Sequence, residues 1–108
     1  MSEWQDQPEL DMAAVSTLVA AVGKPVFDDM KGQFVADLSR LVETYGTAHS
    51  GGDDGEARAM AHALKGAASN IGLKRLAALA AELERGNDQH AAELTAVLEG
   101  SVRQLEAA

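Results

Sequence analysis

No cysteine occurs anywhere in the 108 residues, which excludes disulfides and thiolate metal sites and is compatible with a reducing cytosol. Aromatic side chains are scarce at 4%, so a core has to be assembled from Leu, Val, Ala and Met. Strand-favouring residues are sparse while Ala, Leu and Glu dominate, which points to an all-helical chain. Basic residues are outnumbered, 9 against 17 acids, for a net charge of −8. That balance argues against nucleic acid or an anionic membrane surface as a partner. No apolar run approaches the ~18 residues of a membrane span. The acidic opening MSEWQDQPELD lacks the basic start and apolar stretch of a signal peptide, so a cytoplasmic location is expected. There is no glycine-rich phosphate loop and no local cluster of metal ligands; His49 and His90 are too far from His62 in sequence to form a ligand pair with it.

What the chain does contain is helical periodicity. A first helix is expected from about Pro8 to Val22, ended by Gly23. A second starts near Lys24 and Pro25, proline being suited to a first turn. It carries Phe27, Met30, Phe34, Leu38, Leu41 and Tyr45 at spacings of three and four, and is expected to fray in the loop GTAHSGGDDG. Asp53 and Glu56 form a capping arrangement for a third helix with Met60, Leu64, Ala67, Ala68 and Ile71 on one stripe and Gly72 as its stop. The fourth carries Leu76, Leu79, Ala80 and Leu83 and ends at Gly86. Asn87 and Asp88 are expected to cap the last helix, which buries Leu94, Val97, Leu98, Val102 and Leu105. Four amphipathic helices of about 14 to 24 residues with short turns predict an antiparallel four-helix bundle. The shorter N-terminal helix is an accessory, residues 1–108 are a single domain, and residues 1–7 are expected to be a flexible N-terminus.

Helical geometry gives the third helix a second face. Successive residues rotate by about 100°, so with Leu64 inward His62 points outward. Arg58, Lys65, Gly66 and Ser69 share that face. An exposed imidazole titrates near pH 6.5 and keeps one ring nitrogen free as a nucleophile at neutral pH. Lys65 lies one turn away, where its ammonium can pair with an anion carried on that nitrogen. Gly66 costs the helix about 1 kcal/mol relative to alanine yet leaves room for a second protein to approach the ring. Nucleophile, cation and clearance together describe a site that receives a phosphoryl group from a large donor.

The segment AHALKGAASNIG resembles the signature of histidine-containing phosphotransfer (HPt) domains, roughly His-x-Leu-Lys-Gly followed six residues later by Gly. His62, Leu64, Lys65, Gly66 and Gly72 match in type and spacing, and the likeness extends over nearly the whole chain. It implies a phosphorelay carrier with no ATP site or catalysis of its own. His62 would be the phospho-acceptor, passing a phosphoryl group between aspartates of receiver domains. Lys65 would offset phosphoryl charge, Gly66 would provide clearance, and Ser69 would hydrogen-bond near the phosphate. Gly72 reads as a helix terminator. No cofactor is expected on this chain; Mg²⁺ is expected in the partner receiver domain. Partners would be receiver domains of response regulators or of a hybrid histidine kinase, met by a monomer. Ala67 and Ala68 stand where many relatives carry serine. Glu84 falls where some relatives place a neutral or basic residue near the histidine; an acid facing the site would weaken phosphate binding, so Glu84 is not counted among the site residues.

Two readings compete with the carrier. A histidine-kinase dimerisation module also exposes a histidine on a helical hairpin, but normally follows it with an acid, where this chain has Ala63, and needs an ATP-binding domain for which the 108 residues leave no room. A non-catalytic helical adaptor is opposed by the intact His-Lys-Gly set. On the N-terminal helix, Met12 and Val19 extend the apolar surface toward a second face and are a candidate docking patch for a receiver.

Overall fold

The computed structural model describes residues 3–108, which form five α-helices and two short 3₁₀ segments, with no strand among them. Helix α1 spans Met12–Val22, α2 Lys24–Ser50, α3 Asp54–Asn70, α4 Lys74–Glu84 and α5 Leu94–Ala107; the 3₁₀ segments are Trp4–Asp6 and Ala91–Glu93. Helix α2 packs on α3, α3 on α4, α4 on α5 and α5 on α2, α1 also lies against α2, and the buried side chains form one core. Phe27, Leu38, Leu64, Leu73, Leu76, Leu79, Leu83 and Leu105 are its fully enclosed large side chains. Each such aliphatic or aromatic group contributes about 1.5–3 kcal/mol on burial, so the aliphatic stripes bring the helices together with little aromatic help. No helix among the described residues is long and apolar enough to cross a membrane.

The turns follow their local chemistry. Gly23 has φ +86°, closing α1 through its amide to the Val19 carbonyl and opening α2, with Pro25 in the first turn. The Asp53 carboxylate accepts from the Glu56 amide at 3.1 Å and caps α3, as the acidic pair predicts. Gly72 has φ +78° in the turn between α3 and α4. A Cβ there would also lie 2.9 Å from Ala14 Cβ and 3.1 Å from the Asp11 carbonyl, so the terminator is also the point where the start of α1 crosses the hairpin.

Several expected boundaries move. Helix α1 begins at Met12 rather than Pro8, because Asp11 caps it and the preceding segment runs along α4, where Pro8 O accepts from the Arg75 amide and the Asp11 amide bonds to Gly72 O. Within the N-terminus expected to be flexible, residues 1–7, the segment Trp4–Asp6 lies against α4. Trp4 is buried, and Arg75 Nε donates to Gln7 O at 2.9 Å; residues 1–2 lie outside the described residues. Helix α2 continues through the first half of the expected loop to Ser50, since Tyr45 and Ala48 are core residues and the Tyr45 and His49 rings stack at 5.5 Å. Asn87 and Asp88 do not cap the last helix. The Asn87 amide closes α4 on Glu82 O, Asp88 pairs with His49 at 2.9 Å, and α5 starts only at Leu94.

Candidate functional site

Helix α3 buries Ala57, Ala61, Leu64 and Ala68, one residue every three or four, and this register fixes what faces outward. Arg58, His62, Gly66 and Ser69 are exposed and Lys65 is half-buried, the arrangement the helical rotation predicts. The His62 side chain is 70% exposed. Beyond its own stretch of helix backbone, no atom lies within 4 Å of where a Cβ on Gly66 would stand, so the backbone beside the imidazole opens to solvent. Ser69 is exposed further along α3, and none of its side-chain atoms bonds to the His62–Lys65 group among the described residues. Met12 is 56% exposed, whereas Val19 is half-buried against the core; of the expected docking pair, only Met12 is presented.

The residue that reading along the sequence set aside is at the centre of the site. Glu84, the last residue of α4, faces His62, and its carboxylate bridges two α3 side chains: Oε2 lies 2.6 Å from His62 Nδ1 and Oε1 lies 2.6 Å from Lys65 Nζ. At 29% exposure the carboxylate is partly sheltered. The hydrogen bond from Lys65, followed by that from His62, holds its pKa below the ordinary 4.5, against a smaller upward push from desolvation. Glu84 is therefore ionised near neutrality and can only accept, so the proton of the shared hydrogen bond sits on Nδ1. In the neutral ring this leaves the lone pair on Nε2, which has no partner among the described residues. The acid is on the Nδ1 edge of the ring, away from Nε2.

A signal for this pairing was available. His62 and Glu84 stand at comparable distances on either side of the Gly72 turn, and residues so placed on two helices of a hairpin meet.

The other histidines are occupied elsewhere. His49 Nε2 pairs with Asp88, and His90 pairs with Glu93 while its ring meets Trp4 edge-on. Among the described residues no three His, Cys, Asp or Glu side chains are grouped as a metal-binding set.

A family model described as "Hpt domain" matches residues 29–108. No curated protein matches the chain. Among solved structures it is similar to histidine-containing phosphotransfer protein B from Pseudomonas aeruginosa PAO1. The two share 30% identity over 93% of this chain and 90% of the other, with a TM-score of 0.73.

Proposed function

The chain belongs to the Hpt domain family, phosphotransfer carriers of phosphorelay signalling, and on that premise we propose that His62 is the residue that carries its phosphoryl group. The observation that carries this assignment is the asymmetry of the His62 ring: Nδ1 is held by Glu84, and Nε2 is bare on an exposed face. The donor is an aspartyl phosphate on a receiver domain. The Nε2 lone pair attacks phosphorus in line as the bond from phosphorus to the aspartyl oxygen breaks, and that electron pair returns to the aspartate as a carboxylate. The product ring is a cation that keeps its Nδ1 proton, and the Glu84 carboxylate faces that proton. Passing the group to a second receiver is the same step reversed.

The Lys65 ammonium is paired with Glu84 before transfer; turned toward the phosphoryl oxygens, it offsets their charge. Gly66 gives the receiver's acidic pocket access to the ring, and Ser69 lies on the rim of the contact. Met12 is a candidate receiver contact away from the chemistry. No ATP site is needed on this chain, and transfer is catalysed together with the receiver, where a bound Mg²⁺ would supply charge neutralisation. The partners are receiver domains of response regulators or of a hybrid histidine kinase, and the carrier works as a cytoplasmic monomer. The closed ring of helix contacts supports an antiparallel four-helix bundle with α1 as its accessory, formed by the whole chain as a single domain.

The test is to mix the protein with a phosphorylated receiver domain and Mg²⁺. The wild type becomes labelled, and His62→Gln stays unlabelled with unchanged far-UV circular dichroism. Label on another residue of the His62→Gln protein would overturn the assignment.

A further inference from the structure

Glu84 is held at three points, and only two of them are on its carboxylate. As the final residue of α4 it belongs to the last turn, where four carbonyls have no partner within the helix. Three of the four are met by the backbone that follows: Ala81 O accepts from the Arg85 amide at 3.2 Å, Glu82 O from the Asn87 amide at 3.0 Å, and Leu83 O from the Gly86 amide at 3.0 Å. The fourth, Glu84 O, is met from another helix, by Arg58 Nε at 2.8 Å. Arg58 stands on α3 one turn before His62, and no carboxylate lies within ion-pair distance of it among the described residues. Arg58, His62 and Lys65 thus converge from one face of α3 on a single residue of α4, one on its main chain and two on its side chain.

The physical consequence concerns order at a helix end. A terminal residue frays unless its carbonyl is bound, and a fraying Glu84 would swing its carboxylate away from Nδ1. A guanidinium suits the task because it donates a charge-assisted hydrogen bond and places positive charge at the negative end of the α4 dipole.

Resting on the assignment of His62 as acceptor, we infer that Arg58 is a positioning residue for phosphotransfer. It fixes the main chain of Glu84 so that the carboxylate keeps the proton on Nδ1 and the lone pair on Nε2. Arg58 touches neither the ring nor the phosphoryl group and acts only through Glu84.

The experiment compares Arg58→Gln and Arg58→Lys, each alone and in a Glu84→Ala background. It measures the maximal transfer rate from a phosphorylated receiver and its dependence on receiver concentration. Long-range ¹H–¹⁵N correlation spectra of the unphosphorylated protein show which ring nitrogen of His62 bears the proton. Arg58→Gln is expected to raise the Nε2–H population and lower the maximal rate by about tenfold, the loss of one charge-assisted hydrogen bond, with the half-saturating receiver concentration little changed. Arg58→Lys recovers part of both. In the Glu84→Ala background Arg58→Gln changes neither by more than about twofold.

An equal loss in both backgrounds would mean that Arg58 meets the receiver or the phosphate directly, and would overturn the inference; so would an unaltered proton position in Arg58→Gln. Should Arg58→Gln fail to fold, Arg58→Lys against wild type in the two backgrounds carries the same comparison. The proton position is read without any phosphoryl group, so failure of Arg58→Gln to shift it is distinguishable from failure of the wild type to be labelled at His62, which would remove the acceptor assignment that the inference rests on.

Discussion

Replacing Gly66 separates a glycine kept for access from one kept for structure. Its φ is not positive and, beyond its own stretch of helix backbone, an added Cβ would meet no atom within 4 Å, so the folded protein has no steric reason to reject a side chain. In a helix interior glycine is about 0.8–1.0 kcal/mol less favourable than alanine, and glutamine is a good helix former. Gly66→Ala should therefore stabilise the protein by about 1 kcal/mol and Gly66→Gln by slightly less. For a domain of this size that raises the melting temperature by about 4 °C. Transfer should move the other way. Residues four apart on a helix have Cβ atoms about 5–6 Å from each other, so a long side chain at Gly66 reaches over the ring of His62. Misplacing reacting atoms by about 1 Å can cost about a hundredfold in rate. Urea titrations of both variants beside their transfer rates from a phosphorylated receiver provide the assay, with rate falling from Gly to Ala to Gln as stability rises. Lower stability of Gly66→Ala, or undiminished transfer by a folded Gly66→Gln, would refute the reasoning.

Gly72→Ala should behave in the opposite sense: the +78° φ costs about 1–2 kcal/mol for any side chain, and the contact with Ala14 and Asp11 adds to it, which a lowered urea midpoint would show. Leu64→Ala, opposite the site on α3 and fully buried, should lose about 2–5 kcal/mol in the same titration while the folded fraction still transfers. Glu84→Gln tests the pH dependence. Because Lys65 and then His62 depress the Glu84 pKa, the contribution of that carboxylate to stability is present above its ordinary 4.5 and disappears as pH falls through the lower folded value. Wild type and variant should thus differ above about pH 4.5 and converge below it, and high salt should narrow the gap because the pair is partly exposed.

The outward face of α3 was legible because a single inward residue, Leu64, fixes the direction of every other side chain on a regular helix. The Asp53 cap, the Gly23 turn and the Gly72 stop were legible for a similar reason: each is a local conformation that one residue type satisfies. What stayed hidden depended on pairing between distant segments. That Glu84 meets His62 and Lys65 is set by the register of α3 against α4, signalled only indirectly by their spacing about the Gly72 turn. The seating of Trp4 and the pairing of Asp88 with His49 are set by tertiary contacts that no local spacing encodes. Tyr45 and Ala48 likewise carried α2 through Gly46 and on to Ser50, because burial outweighed helix propensity there.

The most direct measurement is of the atom that holds the phosphoryl group. After ¹⁵N-histidine-labelled protein is phosphorylated by a receiver domain, ³¹P–¹⁵N correlation spectroscopy identifies the bonded nitrogen. Attachment at Nε2 of His62, with the proton still on Nδ1 opposite Glu84, is the predicted result; attachment at Nδ1, or at any residue other than His62, would contradict it.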